Sequence, residues 1–274
     1  MKKQKSVFLS KMKSLQAKQF INLLTKKWEI RDKKFLLEIV NFLDKNINKK
    51  ISFYNGFEFS LIEEEPKIRL LHLDFWQPNL SIQDIKKIIK KRETVIASIF
   101  QQLNRKFNSA YNLLLLKSFY RFNQKNGLWP IQFGLEYQKK SQPKIKVYLS
   151  INKDKFPLKK FCREFCLDYK LLKQRLKNKK FDTVAVDFLP NSDYDFKFYP
   201  LITQNKGLLY RANKASKIVS VKTWLRFLDG LSGNDEQVHK FIKLPAWFYR
   251  ILRENNFKIH YFCKENDKKS IYFR

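Results

Sequence analysis

Two hydrophobic periods alternate along the chain. Over residues 8–48, apolar side chains recur at spacings of three and four: Phe20, Leu23 and Leu24, then Phe35, Leu36, Val40 and Leu43. That spacing predicts helix, closed by a polar stretch from Asn46 to Lys50. The period then shortens. Tyr54–Ile62 and Lys67–Phe75 are two short runs joined by Glu63-Glu64-Glu65-Pro66, which reads as a hairpin. Ser81 followed three residues on by Asp84 forms a capping pair. Behind it, Ile85, Ile88, Ile89, Val95, Ile96 and Ile99 give helical spacing over 82–105, with a second helix over 108–123.

The same order recurs. Gln132–Gln138 and Lys144–Ile151 form a second hairpin, and Leu158–Lys177 is helical. Thr183–Pro190 and Asp195–Ile202 form a third hairpin across Asn191-Ser192-Asp193. Residues 219–254 read as two helices broken near Gly230 to Asn234, and Phe257–Cys263 with Ser270–Arg274 form a fourth hairpin. Helices followed by a strand pair, four times over, are an internal repeat. Strands that come in hairpins make an antiparallel sheet, whereas a parallel sheet gives single strands between helices. The expectation is an α+β chain with one domain over residues 1–274. Its core is an antiparallel β-barrel of eight to ten strands with every helix outside, because closure removes exposed sheet edges.

Composition changes this picture little. Hydrophobic residues make up 44% and aromatics 16% of 274 residues, enough for a packed core and too apolar for a disordered chain. The net charge of +32 attracts polyanions and phosphorylated ligands, but the lysines are spread along the chain rather than gathered in one arm. A basic nucleic-acid-binding protein without catalysis is therefore the alternative reading. Cys162 and Cys166 lie four apart in a predicted helix with no His pair nearby, which fits free thiols better than a zinc set and points to a reducing, cytoplasmic setting. No apolar run approaches the length of a membrane span.

The candidate chemistry sits on the strands. Lys146 and Tyr148 are two apart in the second hairpin, Lys197 and Tyr199 two apart in the third, and Tyr272 and Arg274 two apart in the fourth; Arg69 stands in the first. Residues two apart in a strand share a face. Facing outward, the lysines are ordinary solvated residues. Facing inward, they make a cationic layer capped by phenols, which needs an anion. A diphosphate is such an anion, and tyrosine faces attract an allylic carbocation. Glu58, between Phe57 and Phe59, is either a solvated edge residue or an inward general base. No Asp-Asp-x-x-Asp box and no Gly-rich phosphate loop appears, which disfavours the helical, metal-cluster prenyl synthases and the P-loop enzymes.

These strands resemble those of the cyanobactin-type peptide prenyltransferases, members of the ABBA group whose barrel is built from repeated α-α-β-β units. Gly56-Phe57-Glu58-Phe59-Ser60 resembles the family's first strand, which implies Glu58 as the base. Ile68-Arg69-Leu70-Leu71 resembles the second and implies Arg69 at the diphosphate. Lys144-Ile145-Lys146-Val147-Tyr148 implies Lys146. Val186-Asp187-Phe188 with Phe196-Lys197-Phe198-Tyr199 implies Tyr199 and Lys197, and Ser270-Ile271-Tyr272 implies Tyr272. With Arg274 as a further diphosphate ligand and Tyr148 in the shield, the resemblance implies transfer of an isoprenyl group, dimethylallyl in the first instance. The donor is dimethylallyl diphosphate, the acceptor a peptide (cyclic ones included) or an aromatic compound, and Mg²⁺ is carried on the diphosphate rather than on protein ligands. The family has five repeats and only four are counted here. That implies an open edge covered by a second copy of the chain, an incomplete site in a catalytically degenerate relative that binds without turnover, or an uncounted strand pair.

Overall fold

The computed structural model describes residues 14–30, 32–46, 52–62, 65–76, 81–126, 129–138, 142–150, 156–176, 181–200, 206–231, 246–265 and 268–273. Its centre is a closed barrel in which every neighbouring pair of strands is antiparallel. The strands are β1 (Ser52–Ile62), β2 (Glu65–Trp76), β3 (Trp129–Gln138), β4 (Lys144–Ser150), β5 (Phe181–Phe188), β6 (Tyr194–Pro200), β7 (Lys206–Asn213), β8 (Ile218–Leu231), β9 (Ile259–Glu265) and β10 (Lys268–Phe273). Each pairs with the next, and β10 returns to β1 through Ser60 opposite Tyr272 and Leu61 opposite Ile271. The fifth hairpin expected beyond Arg274 is thus present inside the chain as β7–β8, and no edge is left for a second copy to cover.

The helices lie outside. They are α1 (Ser14–Lys27), α2 (Lys33–Lys45), α3 (Ile82–Phe107), α4 (Leu113–Asn126), α5 (Leu158–Glu164), α6 (Tyr169–Arg175) and α7 (Ala246–Glu254). Alternate strand residues point at them, as the two-residue period requires. Phe20 of α1 meets Phe59 of β1 with ring centroids 4.9 Å apart, Phe100 of α3 meets Phe188 of β5 at 4.9 Å, and Phe161 of α5 meets Phe196 of β6 at 5.2 Å. All six rings are almost fully buried, and each such burial contributes about 1.5–3 kcal/mol. The core of the molecule is therefore the shell between sheet and helices, which frees the barrel interior for polar residues.

Several boundaries differ from the sequence reading. The helical stretch over 8–48 is two helices, broken around Glu29, whose φ is 52°. Asn108 at φ 48° ends α3, so the next helix starts at Leu113 rather than 108. Ser81 does cap α3, its Oγ accepting from the Asp84 amide at 3.1 Å. The helix over 158–177 is two short ones separated at Cys166, which has φ 52° and is exposed, while Cys162 on α5 is buried. The two cysteines therefore do not share a helix face. The largest correction is at 219–231, read as helix and found as most of β8. The apolar positions Val219, Val221 and Leu225 fit both periods over so short a run, and β-branched residues favour strand there.

Candidate active site

The inward faces of β1 to β4 line a narrow pocket, partly open to solvent, bordered by Glu58, Ser60, Arg69, Glu136, Lys146 and Tyr148 among others. These residues alternate with Phe57, Phe59, Ile68, Leu70, Leu135, Ile145 and Val147, which are buried on the helix side. The expected inward position of Glu58, Arg69, Lys146 and Lys197 is what the structure places there. The solvated outer face is not where the lysines lie.

Register orders these residues along the barrel. In a tilted barrel, inward residues of alternate strands fall at one level when the register steps steadily from strand to strand. Arg69 stands across from Glu136. Lys146 stands across from Gly134 and, through it, from Leu71, one inward position beyond Arg69. Lys197 stands across from Ala185 and, through it, from Tyr148, one inward position beyond Lys146. The step is the same each time, so the three cations form one level. One inward position further come Tyr148 and Tyr199, whose ring centroids are 5.9 Å apart. Glu58 stands across from Leu71, just past the tyrosine level on the side away from the cations. It is 4% exposed. Tyr272 faces Ser60 across the seam in backbone register, and Arg274 lies outside the described residues.

Behind the cations lies a row of acids that the sequence reading did not assign. Arg69 Nε donates to Glu136 Oε2 at 2.6 Å, with Lys146 Nζ 3.4 Å from the same oxygen and Lys67 Nζ 3.6 Å from Oε1. Lys197 Nζ is 2.6 Å from Asp187 Oδ2, and Arg211 Nε donates to Asp195 at 2.9 Å. Burial would push the Glu136 carboxyl up, yet Lys146, Arg69 and Lys67 hold it well below the usual range. Asp187 is likewise held down against burial by Lys197 and Lys146. Burial, then the adjacent Lys197 charge, push Lys146 down to about 7, against the opposing pull of Asp187 and Glu136. Such a shift records how costly these cations are to bury. Gly134 gives them room: a Cβ there would stand 3.2 Å from Lys146 Cβ.

Lys222 on β8 was missed for a different reason. It stands across from Leu209, one inward position past Arg211, which itself stands across from Lys197. By the same step it belongs to the cation level, but its segment had been read as helix. For the acids there was a signal: Glu136 and Asp187 share the alternation of their strands with no apolar reason to be there. Among the described residues no three His, Cys, Asp or Glu side chains cluster as a metal set. The chamber acids Glu136, Asp187 and Asp195 already face cations.

The architecture is the ABBA fold of the aromatic prenyltransferases. The 5-dimethylallyltryptophan synthase of Streptomyces coelicolor superposes with a TM-score of 0.64 at 9% identity, covering 97% of this chain and 98% of that one. Prenyltransferase PriB, solved as a ternary complex with L-tryptophan and dimethylallyl thiolodiphosphate, superposes with a TM-score of 0.60 at 10% identity over 95% of each chain. Its binary complex with product diphosphate gives 0.58 at 10% identity. No family model and no curated protein sequence matches the chain. Among the described residues no helix is long and apolar enough to cross a membrane.

Proposed function

We propose that the chain transfers an isoprenyl group from its diphosphate to an aromatic or peptide nucleophile. The observation that carries this reading is the stacking order inside the barrel: a cation level, a tyrosine level, then one buried carboxylate. Each level suits one part of the reaction. Arg69, Lys146 and Lys197 bind the diphosphate and stabilise its developing charge as the allylic C1–O bond breaks and the electron pair leaves with the oxygen. Tyr148 and Tyr199 shield the allylic cation, whose charge their ring faces attract. The acceptor's electron pair forms the new bond to the allylic carbon, and its proton passes to Glu58. Arg69, Lys146 and Lys197 would hold the diphosphate with which Mg²⁺ enters, and the ion would supply Lewis-acid help to the leaving group.

Dimethylallyl is the donor of choice, since solved complexes of both neighbours hold dimethylallyl analogues. Those complexes also hold tryptophan, which favours an indole-bearing acceptor, free or within a linear or cyclic peptide. The nucleic-acid reading rests on the net charge of +32 spread along the chain, to which Arg69, Lys146 and Lys197, turned into the barrel, add no outer basic surface.

The test is release of diphosphate from dimethylallyl diphosphate, with products read by mass spectrometry. Acceptors are free tryptophan, and linear and cyclic peptides carrying Trp, Tyr or Ser, each with MgCl₂ and with EDTA. Diphosphate release together with a prenylated product is expected. An absence of both, and of any binding of the unreactive thiolodiphosphate, overturns the reading. Activity that survives EDTA unchanged removes the metal from it.

A further inference from the structure

The acids behind the cation level have no part in the reaction proposed above, and one of them holds the cluster together. Glu136 is the common partner of three cations drawn from two strands: Arg69 and Lys67 of β2 and Lys146 of β4. Its side chain is 7% exposed. β3 lies between those two strands, and Glu136 is the β3 residue directly across from Arg69. Without it, Arg69 and Lys146 would repel each other inside a low-dielectric chamber, where such repulsion is strongest.

We propose that Glu136 is a positioning residue for the donor, gathering Arg69 and Lys146 into one diphosphate-binding pair and keeping Lys146 in its ammonium form. This rests on the prenyl-transfer reading. The groups around Lys146 are Arg69 and Lys67 from β2, Glu136 from β3, Tyr148 on its own strand, Asp187 from β5 and Lys197 from β6, with Glu58 of β1 in the same register row. Two of the acids, Glu136 and Asp187, oppose the loss of its proton. Removing Glu136 leaves Asp187 alone to do so, and the Lys146 ammonium then gives up its proton at lower pH. The expected sign follows. Donor affinity, which requires the ammonium, weakens as pH rises through about 7 in the native chain. In Glu136→Gln the same weakening begins about one pH unit lower, a shift of the size one neighbouring charge produces.

The experiment is calorimetric titration of dimethylallyl thiolodiphosphate between pH 5.5 and 8.5, in buffers of differing ionisation enthalpy. The native chain, Glu136→Gln and Glu136→Asp are compared. Glu136→Gln is expected to bind roughly 10-fold more weakly at pH 7.5, the factor one pH unit carries. It should recover most of its affinity at pH 5.5 and take up more protons on binding at pH 7. Glu136→Asp keeps the charge and should keep the native pH profile. A loss in Glu136→Gln that is equal at every pH, with unchanged proton uptake, makes Glu136 merely structural and overturns the proposal. So does affinity that rises on removing the acid. Failure of the native chain to bind the analogue at any pH instead sinks the prenyl-transfer reading, so the two failures are told apart.

Discussion

Strand β2 carries two kinds of polar residue on its two faces. Inward, Lys67 and Arg69 meet Glu136, so each buried charge has an opposite charge beside it. Outward, three residues on from Arg69, His72 is fully buried against Arg92 of α3, whose Nη2 lies 2.6 Å from His72 Nδ1. A guanidinium has only donors, so Nδ1 accepts and the ring proton sits on Nε2. No described acid pairs with Arg92, and His72 Nε2, Arg92 Nε and Tyr120 Oη lack hydrogen-bond partners there. On the inner face cations outnumber the acid they share, whereas the outer face is packed for stability, with Phe57 2% exposed beside the His72 ring at 5.0 Å. Substitutions on the two faces of one strand should therefore separate folding from binding.

The largest effect belongs to the outer face. Ile68, next to Arg69, is 1% exposed in the shell between barrel and helices. Ile68→Ala should cost about 2–5 kcal/mol of stability, the usual range for removing a buried aliphatic side chain. Chemical denaturation measures it. Arg69→Ala, one residue away, should weaken donor binding while costing less stability. If Arg69→Ala proves the more destabilising of the two, the faces are not divided as described.

How much of this was legible in the sequence follows from the same alternation. Where helices punctuate the hairpins, the sequence pattern placed the strands: Phe57-Glu58-Phe59 and Lys144 to Tyr148 show one face apolar and one polar, and the inward residues could be named. β7 and β8 follow β6 with only residues 201–205 between, so the helix-to-strand change of period that marked every other hairpin was missing. β8 also exposes Val219 and Val221 on its outer side, at 49% and 44%. An apolar residue without a buried partner breaks the link between hydrophobicity and inward direction on which periodicity arguments rest. The level structure inside the barrel was out of reach for another reason. It depends on the register between strands distant in sequence, and no local pattern encodes that.

Next in size comes Glu58→Gln, an isosteric loss of charge on the inner side. It should lower turnover by ~10²-fold or more, the range for loss of a general base. Affinity for the thiolodiphosphate should stay near native, because the carboxylate stands past the tyrosine level from the cations. Steady-state rates together with direct donor titration read this split. Full turnover in Glu58→Gln removes the base assignment, and a parallel loss of donor binding would place Glu58 among the diphosphate contacts instead.

The smallest effect is a pH dependence confined to the outer face. Burial first, and then the Arg92 charge, hold His72 well below its ordinary value of 6.5. Above that value neither the folded nor the unfolded chain carries the proton, and His72 leaves stability indifferent to pH. Below it the unfolded chain gains a proton that the folded chain cannot take, so stability falls as pH drops. Between pH 6.5 and 5.5 the loss should be about 1 kcal/mol, given 1.36 kcal/mol per unit for one fully linked proton. His72→Gln removes the titration and retains an amide oxygen that can accept from Arg92. The variant is less stable than the native chain at pH 7, and the gap should narrow by that ~1 kcal/mol on going to pH 5.5. Denaturant melts of both chains at the two pH values measure it. The inner acids do not mimic the effect, because Glu136 and Asp187 are both held below their ordinary values. Their stabilising contribution fades only at more acidic pH, and it does so equally in both chains. A gap that stays constant across this window means that His72 carries a proton, or meets water, in the folded chain, and the division between the two faces of β2 would then fail.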